Sequence, residues 1–168
     1  DNRPTYRPSD SLLRFHYAVI RPHEARLGRH GAHAQALWGD LIPTFRSRVL
    51  GPCFEGMARW WTTHFASRDT LGGSPAHVGP TSLTVRNSET GTAELRELDV
   101  VVAVDDAVAP SGRTVLALGE AKVGERFTTR HVRRLEDARL ALGDRAEGAR
   151  LLLFGSSFEG ALRASAEA

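Results

Sequence analysis

Lysine is almost absent from this 168-residue chain, in which Lys122 is the single lysine among 22 lysine and arginine side chains. The scarcity excludes a P-loop ATPase site in the chain itself, because there is no Gly-x-x-x-x-Gly-Lys-Ser/Thr loop. It also makes Lys122 a candidate functional residue, since an ammonium is a compact charge whereas a guanidinium is a planar fork that keeps its proton. The alternative interpretation is that Lys122 has no special role and lies by chance at a solvent-exposed strand end.

Cysteine, methionine and long apolar runs are scarce as well. The one cysteine, Cys53, excludes an internal disulfide and a cysteine zinc site, and it favours a reducing, cytoplasmic location. No apolar stretch approaches the length of a membrane span and no secretory signal opens the chain, so we expect no membrane partner. Because the chain starts at Asp1 and its only methionine is Met57, we expect a piece of a longer protein or a processed one.

The rest of the composition is typical of a soluble globular domain, with 41% hydrophobic and 25% charged residues. The length suits one domain, or one domain with a helical extension. A net charge of +2 permits nucleic-acid binding without requiring it, and arginine is well suited to phosphate contacts. The oligomeric state stays open, a homo-oligomer included.

Helical patterns fill the first part of the chain. Asp10 is a good N-cap for a helix that we expect to end near Pro22. Gly51-Pro52 predicts a break before a further helix. We therefore divide the chain into a helical N-terminal segment, 1–50, and an α/β core, 51–168. The apolar stripe of the helix after the break comprises Phe54, Met57, Ala58, Trp61 and Phe65. We expect Trp60 and Trp61 to serve in packing rather than in base stacking.

Strand patterns follow in the core. Gly79-Pro80 predicts a loop, and Ser82–Arg86 a short strand after it. The strongest strand signal covers residues 95–104, and the loop at 105–113 predicts a hairpin to a third strand that runs through Lys122.

A helix and a last strand complete the predicted core. Thr128 or Thr129 can cap a basic helix that ends at Gly143. Arg150–Phe154 predicts a final buried strand, and a short helix is expected from Ser156 to the end. The order helix–strand–strand–strand–helix–strand predicts an α/β fold with a mixed sheet flanked by helices.

Alternation along the second and third strands gathers charge at one sheet edge. Glu97 and Asp99 start one face of the second strand, and Leu116, Leu118, Glu120 and Lys122 form one face of the third. An antiparallel hairpin brings Asp99 level with residues 119–121. Carboxylates placed side by side destabilise a sheet, so the cluster needs compensation. A hard divalent cation would supply it; solvated carboxylates with a weak Glu120–Lys122 ion pair are an equally weighted alternative.

The spacing of Asp99, a hairpin and Glu120-Ala121-Lys122 resembles the Asp…Glu-x-Lys signature of the PD-(D/E)XK nuclease superfamily. The predicted element order is similar to the restriction-endonuclease-like core of that superfamily. Together with Leu12–Tyr17 and Phe54-Glu55, these motifs resemble the C-terminal nuclease-like domain of archaeal-type DEXX-box P-loop ATPases, a domain of uncharacterised function. Leu98 stands where the superfamily motif has a proline.

The resemblance implies a nuclease-like domain of an ATPase that hydrolyses DNA phosphodiester bonds with Mg2+ or Mn2+. Asp99, Glu120 and the Ala121 carbonyl would hold the metal, Lys122 would orient the attacking water, and Glu55 would support the metal or its water. A P-loop ATPase domain of the same protein would be a partner. A glutamate in the first turn of a helix is, however, also favoured by the helix dipole alone.

A basic stripe lies on the helix after this motif, where Arg130, Arg133 and Arg134 share one face. Such a stripe suits DNA backbone phosphates. A solvated face neutralised by Glu136 and Asp137 is the alternative. Two further function classes stay open for the whole domain, namely a catalytically inactive nucleic-acid-binding or regulatory module and a protein-interaction domain.

Overall fold

The computed structural model describes residues 8, 10–28 and 32–162, with the side chains of residues 32–34 excluded. The last part of the helix predicted after Ser156 lies outside these residues. The chain separates into two compact units, Asp1–Cys53 and Phe54–Ala168. Within the described ranges, every helix is too short or too polar to cross a membrane.

The first unit is helical. Its helices are α1 Ser11–Phe15, α2 Glu24–Leu27 and α3 Ala32–Phe45, with wider π-helical turns at His16–Ile20 and Arg46–Leu50. A 3-10 turn, Arg21–His23, joins the first π-helical turn to α2. The core of the unit is formed by Val19, Leu37, Leu41 and Val49.

Asp10 caps α1 as predicted, because its carboxylate accepts hydrogen bonds from the main-chain nitrogens of Leu12 and Leu13 at 2.7 and 3.0 Å. The predicted end near Pro22 is confirmed, because the π-helical turn ends at Ile20 and Pro22 lies in the short 3-10 turn that follows. His23 then has the non-helical angles φ −122° and ψ 13° as the N-cap of α2.

The helix predicted to begin at Gly51-Pro52 is confirmed as α4, Gly51–His64, but the predicted break before it is wrong, because the π-helical turn Arg46–Leu50 runs directly into α4. The N–H of Gly51 donates to the carbonyl of Arg46 across that wider turn, and Pro52 has no N–H that needs a partner. The apolar stripe predicted for α4 is only partly buried. Ala58 is buried, whereas Trp60 and Trp61 are 56% and 42% exposed. Both tryptophans still serve in packing, because Trp60 contacts His64 and Phe65 and Trp61 contacts Phe154.

The second unit is built on a mixed sheet of four strands, which confirms the predicted α/β class. Strands β1 His77–Arg86, β2 Ala93–Asp105 and β3 Arg113–Ala121 are antiparallel neighbours. Strand β5, Arg150–Phe154, pairs with β3 in parallel, giving the order β1-β2-β3-β5. Strands β4 Arg126–Phe127 and β6 Ser157–Phe158 form a separate parallel pair.

Helices cover both faces of this sheet. On one face, Leu135 and Ala138 of helix α6, Thr129–Leu142, pack with Leu98 and Leu118. On the other face, Ala58 of α4 and Leu71 of helix α5, Arg68–Leu71, pack on a second group of strand residues. That group comprises Val100, Val102, Ala117 and Ala121. The sheet therefore forms the middle of three layers.

Helix α6 begins and ends where the sequence predicted. Thr128 is its N-cap, and its main-chain N–H donates to the ring of His131 at 3.1 Å. Gly143 follows the last residue with φ +61°, a conformation that suits glycine. The capping residue Thr128 and the glycine Gly143 thus define where α6 begins and ends.

Two predicted loop or helix segments are strands instead. Gly79 and Pro80 belong to β1, which the sequence predicted to start at Ser82. Because β1 is an edge strand, Pro80 can lie in it without removing a bond from a central ladder. Ser157 and Phe158, expected in a helix, pair with β4 because Phe158 stacks on the buried ring of Phe127.

Two β-bulges interrupt the alternation predicted for β2 and β3. Thr81 pairs with Leu98 but Gly79 pairs with Val101, so Asp99 and Val100 together oppose one β1 residue. Leu98 and Val100 consequently pack in the clusters on opposite sheet faces. A second irregularity lies at Leu116 of β3, which packs with Ala117 rather than on the face of Leu118 as predicted.

Candidate active site

The end of β3 is held in place by its parallel neighbour β5. The N–H of Lys122 donates to the carbonyl of Phe154 at 2.9 Å. Gly119, three residues earlier, lies where a Cβ would be 3.1 Å from Val100 Cβ and 3.2 Å from Leu152 Cβ. A glycine at this position therefore lets β2 and β5 close on β3 just before the charged residues.

Asp99 is joined to the same stretch of β3. Its Oδ2 accepts a hydrogen bond from the main-chain N–H of Ala121 at 2.8 Å, and the side chain is half-buried. The β2 bulge includes Asp99, and bulges commonly redirect side chains beside functional sites. The predicted approach of Asp99 to residues 119–121 is thus present in the structure.

Glu120 and Lys122 form an ion pair, with Lys122 Nζ 3.2 Å from Glu120 Oε1. The Glu120 side chain is only 8% exposed, whereas that of Lys122 is 36% exposed. The sequence suggested a weak surface ion pair between these residues. The observed pair is stronger than that, because the burial of Glu120 reduces solvent screening.

Glu55 lies on α4 within the electrostatic reach of these groups. Burial raises the pKa of the Glu55 carboxyl, and the charge of Asp99 raises it further. Arg59 and Lys122 act in the opposite direction on that pKa, while Glu97 raises it. The structure therefore brings Glu55 near the cluster. Glu97 itself is exposed, and charge alone connects it to the site.

Burial also raises the pKa of the Asp99 carboxyl. The hydrogen bond from Ala121 and the charges of Lys122 and Arg59 lower that pKa, and Glu120 raises it, with burial the largest cause. At both Asp99 and Glu55 the largest cause of the raised pKa is burial, which the nearby cations and the Ala121 hydrogen bond do not fully offset. Carboxyl groups with shifted pKa values are common at functional sites and also occur in structural ion networks.

Arg59 is a residue of this site that the sequence reasoning missed. Its Nη1 donates to the main-chain carbonyl of Asp99 at 2.8 Å. It follows Glu55 by four residues in α4, so both lie on the same helix face. That i, i+4 pairing of a glutamate with an arginine was the signal in the sequence that could have identified it.

The fit of a divalent cation rests on oxygen atoms of Asp99 and Glu120. Within the described residues, no three His, Cys, Asp or Glu side chains are arranged around a metal position. Within the same ranges, Oδ1 of Asp99 and Oε2 of Glu120 make no hydrogen bond, because only Oδ2 and Oε1 are engaged. Mg2+ commonly uses one or two carboxylates and keeps several waters, so this donor set suits it.

The arginines of α6 lie beside the β1–β2 turn, with Arg130 and Arg133 exposed and Arg134 half-buried. Arg133 Nη1 is 3.1 Å from Glu89 Oε1. Arg130, Arg133 and Arg134 line a recess of about 60 Å3 together with Glu94. Nε of Arg134 is buried without a partner in the described part of the chain.

Asp137 does not neutralise the outer face of α6, so that part of the alternative interpretation is wrong. It is buried, and its Oδ2 accepts hydrogen bonds from the N–H of Ser88 at 3.3 Å and from Arg96 at 3.4 Å. Arg96, itself buried, also bonds to Glu94 and to the carbonyl of Arg134. These hydrogen bonds hold α6 against the sheet.

Comparisons of this chain with protein families, curated proteins and solved structures find no match.

Proposed function

We propose that the second unit is a Mg2+- or Mn2+-dependent nuclease domain that hydrolyses DNA phosphodiester bonds. The observation that carries the proposal is the bond from the Ala121 N–H to Asp99, which joins Asp99 to the end of β3, between Glu120 and Lys122. Two carboxylates and one ammonium then lie near this end of β3. Carboxylates can hold a cation that polarises a phosphoryl oxygen and lowers the pKa of its bound water.

The chain's own residues divide the work in this proposal. Asp99 and Glu120, with the Ala121 carbonyl, would hold the cation, which when bound supplies charge stabilisation and a more acidic water. Lys122, which pairs with Glu120, would stabilise charge on a phosphate oxygen or orient the attacking water. Glu55, whose carboxyl pKa is raised by burial, would accept a proton or a water hydrogen bond beside Asp99.

The order of elements supports a restriction-endonuclease-like core. Helix α4 precedes three antiparallel strands, and α6 leads into the parallel strand β5. We extend the proposal to the wider protein, in which this unit would be the nuclease-like domain of a P-loop ATPase. The chain has no P-loop of its own, so the nucleotide would bind elsewhere.

A second candidate function is a nucleic-acid-binding or regulatory module without catalysis. It is favoured by the lack, among the described residues, of three side chains grouped around a metal position. Such a module would need only the arginines of α6. It predicts salt-dependent DNA binding that is indifferent to Mg2+ and to Asp99.

Nicking of supercoiled plasmid DNA tests the proposal. The purified protein with Mg2+ or Mn2+ should nick the plasmid, and Asp99→Ala and Lys122→Ala should abolish nicking while keeping the wild-type circular dichroism spectrum at the assay temperature. Glu147→Gln is a matched control, because Glu147 is an exposed carboxylate outside the cluster. Nicking of equal rate by wild type and both alanine variants would identify a contaminant and refute catalysis by this chain.

A further inference from the structure

Positive charge is concentrated in the first unit. Asp1–Cys53 contains eight arginines and four carboxylates, a net charge of +4 with neutral histidines. Phe54–Ala168 contains 14 cationic and 16 anionic side chains, a net charge of −2. The candidate active site belongs to the second unit and does not account for this excess. Because a surface of one sign attracts ions of the other, the first unit is the part of the chain that most favours an anionic ligand.

A pocket of about 420 Å3 lies within this unit. Its charged walls are Arg14 of α1 and Arg48 of the π-helical turn Arg46–Leu50, and among the described residues no carboxylate lines it. Tyr17, in the π-helical turn after α1, lines it as well. Both π-helical turns thus contribute to one pocket, and turns of this type are rare and frequently lie at functional sites.

The two guanidinium groups of the pocket are unpaired in the described part of the chain. There the side chains of Arg14 and Arg48 make neither an ion pair nor a hydrogen bond. Arg26 of the same unit does have a partner, since its Nη2 is 3.6 Å from Asp40 Oδ2. Like charges beside one pocket repel each other, and an anion between them removes that cost. Arginine is the cation whose planar fork matches the oxygens of a phosphate group.

The other walls of the pocket suit an organic group. Tyr17 is 51% exposed, and the guanidinium carbon of Arg21 lies 5.5 Å from the centroid of its ring, a cation–π contact that helps to hold the ring in place. The remaining lining residues are Pro8, Ala18, Ser47 and Pro52. The volume falls in the range of about 300 to 1,000 Å3 that small-ligand sites occupy, which leaves room for an organic group beside a phosphate.

We propose that this pocket binds a phosphate monoester with a flat organic group, its phosphate between Arg14 and Arg48 and its organic part against Tyr17. Nucleoside monophosphates belong to this chemical class. The proposal goes beyond the proposed nuclease function and does not rest on it, because the site uses no residue of the second unit.

Calorimetric titration of the full chain tests the phosphate contact. The probes are thymidine monophosphate, thymidine and inorganic phosphate, with EDTA present, and the monophosphate should bind most tightly. Arg14→Gln and Arg48→Gln should each weaken monophosphate binding roughly 10-fold or more, the loss of one charge-assisted contact. Arg46→Gln is the charge-matched control and should bind as wild type does, because Arg46 is exposed and is not a lining residue. Equal affinities of all three variants would overturn the proposal.

The same titration tests the organic part of the ligand. Tyr17→Ala should weaken thymidine monophosphate binding by roughly 5- to 150-fold, the loss of one stacked base, and leave inorganic phosphate binding unchanged. Tyr17→Phe should keep most of the monophosphate affinity. Inorganic phosphate bound as tightly as the monophosphate would refute the organic part. Binding of oligothymidylate through Arg14 and Arg48, without any binding of the monophosphate, would replace the small ligand by a DNA backbone and overturn the proposal.

Nuclear magnetic resonance separates this site from the candidate active site without a pocket variant. Thymidine monophosphate added to the wild type in EDTA should shift the main-chain resonances of Arg14, Tyr17 and Arg48. The resonances of Lys122 should stay in place, and Lys122→Ala should bind the monophosphate with wild-type affinity. Shifts at Lys122 alone, with binding lost in Lys122→Ala, would place the phosphate at the candidate active site and overturn the proposal. Loss of DNA nicking has no bearing on this result.

Discussion

Asp99 Oδ2 and the main-chain nitrogen of Ala121 are 2.8 Å apart, and this hydrogen bond links the Asp99 side chain of β2 to the Glu120-Ala121-Lys122 stretch at the end of β3. The donor is the peptide between the two charged residues rather than either side chain. The ammonium of Lys122 is thus left to pair with Glu120, at 3.2 Å. The main-chain N–H of Ala121 thus positions the Asp99 carboxylate, while the charged side chains of Glu120 and Lys122 pair with each other.

Replacing Lys122 by arginine tests whether its chemistry matters. We expect Lys122→Arg to lower the DNA nicking rate by roughly 100-fold or more, because the planar fork spreads the charge that one ammonium concentrates. DNA affinity should change little, since the net charge is the same. Nicking rates and anisotropy measure the two effects. Full activity with arginine would show that the lysine is incidental.

Neutralising Glu55 should stabilise the metal-free protein at neutral pH. Burial and Asp99 raise the pKa of Glu55, so the folded state binds more protons than the unfolded state between the ordinary pKa and the raised one. Stability from this group therefore falls as pH rises through that window. Glu55→Gln should raise Tm at pH 7 to 8, by about 2 to 4 °C for each kcal/mol gained.

The advantage of Glu55→Gln should shrink as the pH is lowered, because the wild-type carboxyl then becomes neutral too. Glu147→Gln, at an exposed position, is the control and should leave Tm unchanged. Thermal scans from pH 4 to pH 8 measure both variants. A Tm gain at Glu55 that is constant over this range would contradict an electrostatic origin.

Mg2+ should stabilise the folded protein in a pH-dependent manner. At a concentration 100 times Kd the gain is about 2.7 kcal/mol. Protons compete for Asp99, whose carboxyl pKa is raised by burial, so the Mg2+-induced rise in Tm should decline on acidification earlier than for an ordinary aspartate. Asp99→Asn should lose most of the rise at every pH. A rise that persists in Asp99→Asn would place the cation elsewhere.

Gly155 should resist substitution because it lies against the ring of Phe127. A Cβ at this position would be 2.6 Å from Phe127 Cε2 and 3.3 Å from the Lys122 carbonyl oxygen. We expect Gly155→Ala to destabilise the protein by about 1 to 3 kcal/mol, since the buried ring has to shift. Gly148→Ala, where a Cβ meets nothing within 4 Å, is the matched control for urea denaturation. Equal losses in the two variants would contradict the steric cause.

Arg130 should contribute to DNA affinity through phosphate contact. Arg130→Gln should weaken binding similarly for all sequences and reduce the slope of log K against log salt by about one. Arg133→Gln should have a smaller effect, because Arg133 is already paired with Glu89 at 3.1 Å. Arg145→Gln, in the 3-10 turn after α6, is the charge-matched control. Slopes equal for all three variants would refute a specific role of α6.

Elements with local end signals could be predicted from the sequence. Thr128 and Gly143 define α6 through a cap and a positive φ, and the apolar run of β5 gave Arg150–Phe154 with its observed bounds. Gly51-Pro52 misled as a break, because the N–H of Gly51 donates to Arg46 across a π-helical turn. Sequence periodicity does not encode such a turn.

The candidate site was predicted in composition but not in every detail. Asp99 approaches Ala121, and Glu120 pairs with Lys122, as the hairpin arrangement suggested. The bulge at Asp99 and Val100 arises from pairing with β1, a tertiary contact that strict alternation cannot reveal. Arg59 belongs to the site because α4 packs on β2, and only its spacing from Glu55 hinted at this.

The bulge also divides β2 into two parts whose buried side chains pack against different helices. Upstream, Arg96 and Leu98 are constrained by α6, whereas Val100 and Val102 downstream are constrained by α4 and α5. Removing one residue at the bulge would restore strict alternation and turn the side chains on one side of it to the wrong sheet face. The number of residues at this point therefore matters to the fold whichever side chains they carry.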